Sequence, residues 1–159
     1  AHESGKAMVL DADGLNLLAE GRVVAAEPRS NRIITPHPGE AARLLRQSTA
    51  DVQVDRFAAV SALQARFGGV AILKGNGSLI ADGAQQWLCD YGNPGMASGG
   101  MGDVLSGVLG ALLAQGHSLA DAAAIGVSLH AAAADIAALD GERGLAATDL
   151  IPAMRDLLG

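Results

Sequence analysis

Apolar residues in this chain fall into short unbroken runs, separated by longer stretches in which they recur every three or four positions. Ala7-Met8-Val9-Leu10 and Val70-Ala71-Ile72-Leu73 lack polar alternation, the pattern of strands buried on both faces. A further strand is expected over 32–34, closed by Pro36-His37-Pro38-Gly39. Residues 78–81 and 86–88 read as a hairpin joined through Asp82-Gly83, a favoured turn pair. Helical spacing covers 15–19, about 40–45, 51–67 up to Gly68-Gly69, 101–115 and 119–139. A last helix is predicted from Thr148, as N-cap, to Leu158, with Pro152 in its tolerant first turn. The polar opening, residues 1–6, resembles a helix end stopped at Gly5, so the chain is expected to open midway through an α/β unit. Strands alternating with helices predict a mainly parallel sheet covered by helices. No internal repeat, linker or low-complexity tract divides residues 1–159, which are read as one domain.

Composition narrows the partners. Half of the residues are hydrophobic and only 3% aromatic, so a sizeable core must be assembled from Ala, Val, Leu and Ile. Seventeen acids against eleven bases leave a net charge of −6. With no basic stripe, nucleic acid and anionic membrane are poor partners. Cys89 stands alone, which excludes a disulfide framework and a cysteine-rich metal site and fits a reducing cytoplasm. The apolar stretch 122–139 carries His130 and Asp135 in its interior and reads as a buried helix, not a membrane span.

Three segments carry candidate chemistry. In Asn93-Pro94-Gly95-Met96-Ala97-Ser98-Gly99-Gly100-Met101-Gly102-Asp103, glycines immediately precede a long apolar helix. Main-chain N–H groups of Gly99, Gly100, Met101 and Gly102 at a helix start form an anion hole that a phosphate can approach closely. Asp103, in the first turn, could take a proton from a substrate hydroxyl during phosphoryl transfer; the same pattern also suits an acid that merely complements the helix dipole. Lys74-Gly75-Asn76-Gly77-Ser78 follows a buried strand, where α/β sheets bind ligands, and suits either a nucleotide contact or a plain glycine turn. The turn containing His37 places a rigid hydrogen-bond donor beside Glu40, which could attract hydrated Mg²⁺ or simply complement its helix. Asp11 and Asp13 suit a hydrated metal or strand-end capping. Met96 and Met101 flank the glycines and suit a pocket wall or ordinary packing. Neither His2, His117 and His130 nor Cys89 attracts a functional assignment, and His130 reads as a packed, hydrogen-bonded core residue.

Val9-Leu10-Asp11-Ala12-Asp13-Gly14-Leu15-Asn16, Thr35-Pro36-His37-Pro38-Gly39-Glu40-Ala41, Leu73-Lys74-Gly75, the segment from Asn93 to Leu105 and Arg143-Gly144-Leu145-Ala146-Ala147-Thr148-Asp149-Leu150 occur in this order. Together they resemble the ADP-dependent NAD(P)H-hydrate dehydratases. The resemblance implies a ribokinase-like, three-layer α/β fold and dehydration of NADH or NADPH hydrate, driven by the terminal phosphoryl group of ADP or ATP with Mg²⁺. It assigns Lys74, Gly75, Asn76, Gly77, Ser78 and Gly102 to the adenine nucleotide, and His37 and Asp103 to the hydrate, with Asp103 as general base. Members of the family carry further strands upstream, and in some an epimerase domain as well. The resemblance therefore implies the later part of such a domain, with an open sheet edge that favours homo-oligomers. A ribokinase-like kinase for a small alcohol or vitamin precursor and a non-catalytic nucleotide-binding fragment are the competing expectations.

Overall fold

The computed structural model describes residues 5–21 and 27–159; the helix end expected over 1–4, with His2, lies outside the described residues. Five strands form one sheet in sequence order: β1 (Met8–Leu10), β2 (Arg32–Ile34), β3 (Val70–Leu73), β4 (Ser78–Ala81) and β5 (Gln86–Cys89). The first three are parallel, whereas β4 and β5 run antiparallel to their neighbours. The sheet is therefore mixed, because the tight connections after β3 and β4 have no room for the crossover that a parallel pair requires.

Alternate strand residues serve two faces. Ile34, Ala71, Leu73, Leu79 and Ala81 pack with one helical layer. That layer comprises α1 (Asp13–Glu20), α2 (Pro38–Leu45), α3 (Thr49–Val54) and α4 (Arg56–Phe67). Ile33, Val70, Ile72, Ile80 and Cys89 face α5 (Met101–Ala114) and α6 (Leu119–Ala137), while α7 (Leu150–Leu158) leans on α6. The three-layer α/β arrangement follows.

Two helix boundaries differ from expectation. The helix expected over 51–67 is broken at Asp55, which leaves helical geometry (φ −141°, ψ 88°) and accepts the Ala58 N–H as the N-cap of α4. An Asp suits both a helix surface and a cap, so periodicity could not reveal the break. Thr148 caps nothing: Ala147–Asp149 form a 3₁₀ turn, in which the Asp149 carboxylate accepts the Ala146 N–H at 2.9 Å. Helix α6 is long and apolar enough to cross a membrane by composition alone. Here it is a core helix that buries Ala122, Ala123, Val127, Ala131, Ala133 and Ala134. Its small residues admit α5 closely: a Cβ on Gly126 would lie 2.8 Å from Leu109 Cδ2.

Candidate functional site

The carboxyl ends of the three parallel strands bring Asp11, Thr35 and Lys74 together. Lys74 Nζ donates to Asp11 Oδ1 at 2.8 Å, reaching across β2, and Ser106 Oγ of α5 donates to Asp11 Oδ2 at 3.3 Å. Burial alone would push the Asp11 carboxyl upward, but the Lys74 ammonium and hydrogen bonds from Lys74 and Thr35 outweigh it and hold the group below its ordinary range. Gly102 closes over this cluster. A Cβ there would lie 3.0 Å from Asp11 Oδ2 and 3.3 Å from Lys74 Nζ, so a side chain at this place would push the pair aside by a few tenths of an ångström.

The N-terminus of α5 has no side-chain cap. Its N-cap is Gly100, in left-handed geometry (φ 87°). First-turn N–H groups lack intrahelical acceptors and stand at the positive end of the helix dipole. Asp103 is exposed in this first turn.

Beside this terminus lies a cleft of about 460 Å³, within the range of small-molecule sites. Lys74, Gly75, Asn76, Gly77 and Ser78 form one wall, Met101, Gly102 and Leu105 another, and Val127, His130 and Ala131 of α6 a third. Met96 and Met101, left open between pocket wall and packing, both line it. Gly99 and Gly100 are exposed at the head of α5. With Asp103, His37 and Glu40 they stand outside the lining.

Arg56 shapes the glycine loop from behind. Its guanidinium donates to the carbonyls of Leu73 (3.3 Å), Lys74 (3.5 Å) and Asn76. In a trans peptide the following N–H points opposite to the carbonyl. The N–H groups of Gly75 and Gly77 therefore face away from Arg56. Gly75 (φ 148°) also leaves no room for a side chain, since a Cβ would stand 2.9 Å from Arg56 Nη2. The Lys74 N–H donates to Pro36 O at 2.9 Å, which ties this loop to the turn that carries His37.

That turn is a capping box. His37 is the N-cap of α2, with Nδ1 accepting from Gly39 N (3.0 Å) and Glu40 N (3.4 Å). Glu40, 7% exposed, returns Oε2 to the His37 N–H at 2.8 Å. Because Nδ1 accepts, the neutral ring carries its proton on Nε2, and the side chain, 57% exposed, is a fixed donor. Among the described residues no three His, Cys, Asp or Glu side chains cluster to hold a metal. Asp11 and Glu40 are engaged elsewhere. A divalent ion here would rest on phosphate oxygens and water, as Mg²⁺ commonly does.

Sequence reasoning missed Arg56, Ser106, His130 and Asp135 as site-builders, and did not weigh Asp11 as the partner of Lys74. Asp135 accepts from Gly92 N (2.9 Å) and Asn93 Nδ2 (3.0 Å), pinning the loop ahead of α5 to α6. Only the placement of Asp11 and Lys74 at ends of parallel strands was a readable signal for any of these.

The family model for NAD(P)H-hydrate dehydratase matches residues 1–155. The chain is 57% identical over 152 residues to the bifunctional NAD(P)H-hydrate repair enzyme of Coxiella burnetii, covering 94% of this chain and 30% of that protein. It is 46% identical over 156 residues to the ADP-dependent (S)-NAD(P)H-hydrate dehydratase of Neisseria meningitidis, covering 94% of this chain and 52% of that one. Among solved structures, the ADP/ATP-dependent NAD(P)H-hydrate dehydratase of Bacillus subtilis, co-crystallized with ATP/Mg²⁺ and soaked with CoA, superposes with a TM-score of 0.80 at 28% identity, over 96% of this chain and 55% of that one. A ribokinase-like superfamily protein of Enterococcus faecalis gives a TM-score of 0.81 at 26% identity, over 96% of this chain and 52% of that one. A pyridoxal kinase of Bacillus subtilis, at 19% identity and a TM-score of 0.54 over 79% of this chain and 52% of that one, shares the fold alone. The chain thus spans about a third to a half of the relatives it matches.

Proposed function

The chain belongs to the NAD(P)H-hydrate dehydratase family, and on that premise we propose that its protein dehydrates NADH or NADPH hydrate at the expense of an adenine nucleotide. The observation that carries this reading is the meeting of the uncapped α5 terminus, Lys74 and the glycine loop around one cleft. Those groups are all donors, matched to a polyphosphate. ADP is the proposed phosphoryl donor, with ATP able to substitute. Mg²⁺, when bound, would neutralise phosphate charge; phosphate oxygens and water would hold it, and Glu40, engaged with the His37 N–H, would act on it only through water.

Hydroxide is a poor leaving group and phosphate a good one. The hydrate hydroxyl, oriented by the donor face of His37, gives its proton to Asp103 while its oxygen bonds to the terminal phosphorus and the bond to the departing nucleotide breaks. The α5 amides and Lys74 stabilise the charge on the transferring group. The ring carbon's original C–O bond then breaks, phosphate leaves with the electron pair, and a proton lost from the neighbouring carbon restores the ring double bond. Lys74, Gly75, Asn76, Gly77, Ser78 and Gly102 hold the nucleotide; Gly99, Gly100 and Met101 complete the anion hole. Residues 1–159 are read as the later part of one ribokinase-like domain, acting in the cytoplasm. A homo-oligomer is part of this proposal, testable by light scattering of the intact protein.

The test is incubation of the intact protein with NADH hydrate and ADP or ATP, following the near-ultraviolet absorbance of the reduced nicotinamide. Absorbance should return, and Asp103→Ala should lower the rate about 10²–10⁴-fold, the usual weight of a general base, while nucleotide still binds. No return of absorbance with either nucleotide removes the reading. A stable phosphorylated alcohol made instead from a vitamin precursor would mark a kinase.

A further inference from the structure

The loop after β3 lines the cleft from Lys74 to Ser78, and the orientation of its peptide planes decides what a ligand meets there. A trans peptide offers an N–H on one side and a carbonyl on the other, and only the N–H suits an anion. Glycine at 75 (φ 148°) and 77 (φ 70°) lets a phosphate come close. The same freedom of φ leaves the preceding peptide easy to turn over. A turned Lys74–Gly75 or Asn76–Gly77 peptide would put a carbonyl oxygen where the anion belongs.

Arg56, the first residue of α4, prevents that turn. It is not part of the cleft lining. Nη1 donates to Asn76 O, and Nη2 donates to Leu73 O at 3.3 Å and Lys74 O at 3.5 Å. Three peptides are thereby pinned with their carbonyls toward the guanidinium. In the first, Leu73 O goes to Arg56 while the Lys74 N–H goes the other way, to Pro36 O at 2.9 Å. In the other two the N–H belongs to Gly75 and to Gly77, and among the described residues neither has a hydrogen-bond partner. A planar guanidinium can span several carbonyls at once, which a single ammonium nitrogen cannot. The placement carries a desolvation cost, because Nε is buried without a partner.

We infer that Arg56 is a positioning residue for the phosphates of the nucleotide. By holding the carbonyls of Lys74 and Asn76 it keeps the Gly75 and Gly77 N–H groups turned away from itself and free for the ligand. This rests on the proposed function, since it presumes that a nucleotide fills the cleft.

The experiment compares the intact wild type with Arg56→Met, which keeps the aliphatic length without donors, and Arg56→Lys, which keeps the charge on one atom. In calorimetric titration, Arg56→Met should bind ADP about tenfold or more weakly, the factor that one hydrogen bond of ordinary net strength carries. Adenosine, which has no phosphate, should bind as it does to the wild type, and Arg56→Lys should recover only part of the ADP loss. In the ligand-free protein, hydrogen exchange should show the Lys74 amide losing protection in Arg56→Met while the amides of Ala71 and Ile72 keep theirs. A folded Arg56→Met that binds ADP normally overturns the inference, as does equal weakening of ADP and adenosine or unchanged Lys74 protection. Should Arg56→Met fail to fold, wild-type ADP affinity in Arg56→Lys overturns it alone, because charge without the fork would then suffice. Failure of the wild type to bind ADP or ATP overturns the functional reading; wild-type binding indifferent to Arg56 overturns only this inference.

Discussion

Lys74 has two partners to serve, a carboxylate in the fold and a phosphate in the cleft, and substitution can separate them. Its Nζ lies 2.8 Å from Asp11 Oδ1, with side chains 22% and 15% exposed respectively. Removing one member of a fully buried pair typically costs about 3–5 kcal/mol, and an exposed pair contributes about 0–1 kcal/mol. This pair lies between those limits, and Asp11 keeps Ser106 as a donor. Lys74→Met should therefore cost about 2–3 kcal/mol, or roughly 5–10 °C in Tm for a domain of this size. Asp11→Asn in the same chain removes the uncompensated charge and should recover most of that loss. Nucleotide affinity should behave differently, falling at least tenfold in both Lys74→Met and the double variant, because the phosphate has lost its cation either way. Thermal unfolding with and without ADP, completed as a double-mutant cycle, reads both effects. Additive stability losses would refute the coupling. Restoration of ADP affinity in the double variant would refute the direct phosphate role.

Acid should weaken the same pair. The Asp11 carboxyl is held below its ordinary range, so its contribution is present above the unfolded-state value and is lost as pH falls through the folded-state value; urea midpoints measured toward acid should drop more steeply in the wild type than in Asp11→Asn. Gly69→Ala should be severely destabilising, by about 3 kcal/mol or more, because at φ 62° its Cβ would stand 2.1 Å from Arg32 O; loss of soluble, cooperatively unfolding protein is the readout. Gly102→Ala gains up to about 1 kcal/mol of helix propensity against crowding of Asp11 and Lys74, so melting should move little while ADP titration shows at least tenfold weaker binding. Ala12, which follows Asp11 at φ 46°, is strained for a residue with a side chain, and Ala12→Gly should raise Tm by a few degrees, relieving about 1 kcal/mol.

Local chemistry along the chain was enough to define most elements. Strand β3 stands where its apolar run placed it, because a strand buried on both faces leaves an unbroken apolar signature. The start of α5 was equally legible, since Gly99-Gly100 followed by an apolar helix is a local instruction to the backbone. So was the His37 turn, where two prolines and a reachable Glu40 leave little conformational freedom. The β4–β5 hairpin was legible too, through Asp82-Gly83, whereas the antiparallel pairing of β4 with β3 and the break at Asp55 were less so: each depends on a connection length or a side-chain choice to which hydrophobic periodicity is blind.

Pairing across distance belonged to the tertiary structure alone. Sixty-three positions separate Lys74 from Asp11 and ninety-five separate Ser106 from Asp11, and no local pattern encodes a contact closed by packing one layer on another. His130 illustrates the same division. Its sequence surroundings describe an alanine-rich helix with one imidazole, and burial of that imidazole was expected from them. Only the packing of α6 in the tertiary structure leaves its Nε2 fully buried without a hydrogen-bond partner, because hydrogen-bond satisfaction is a property of the assembled neighbourhood and not of the residue.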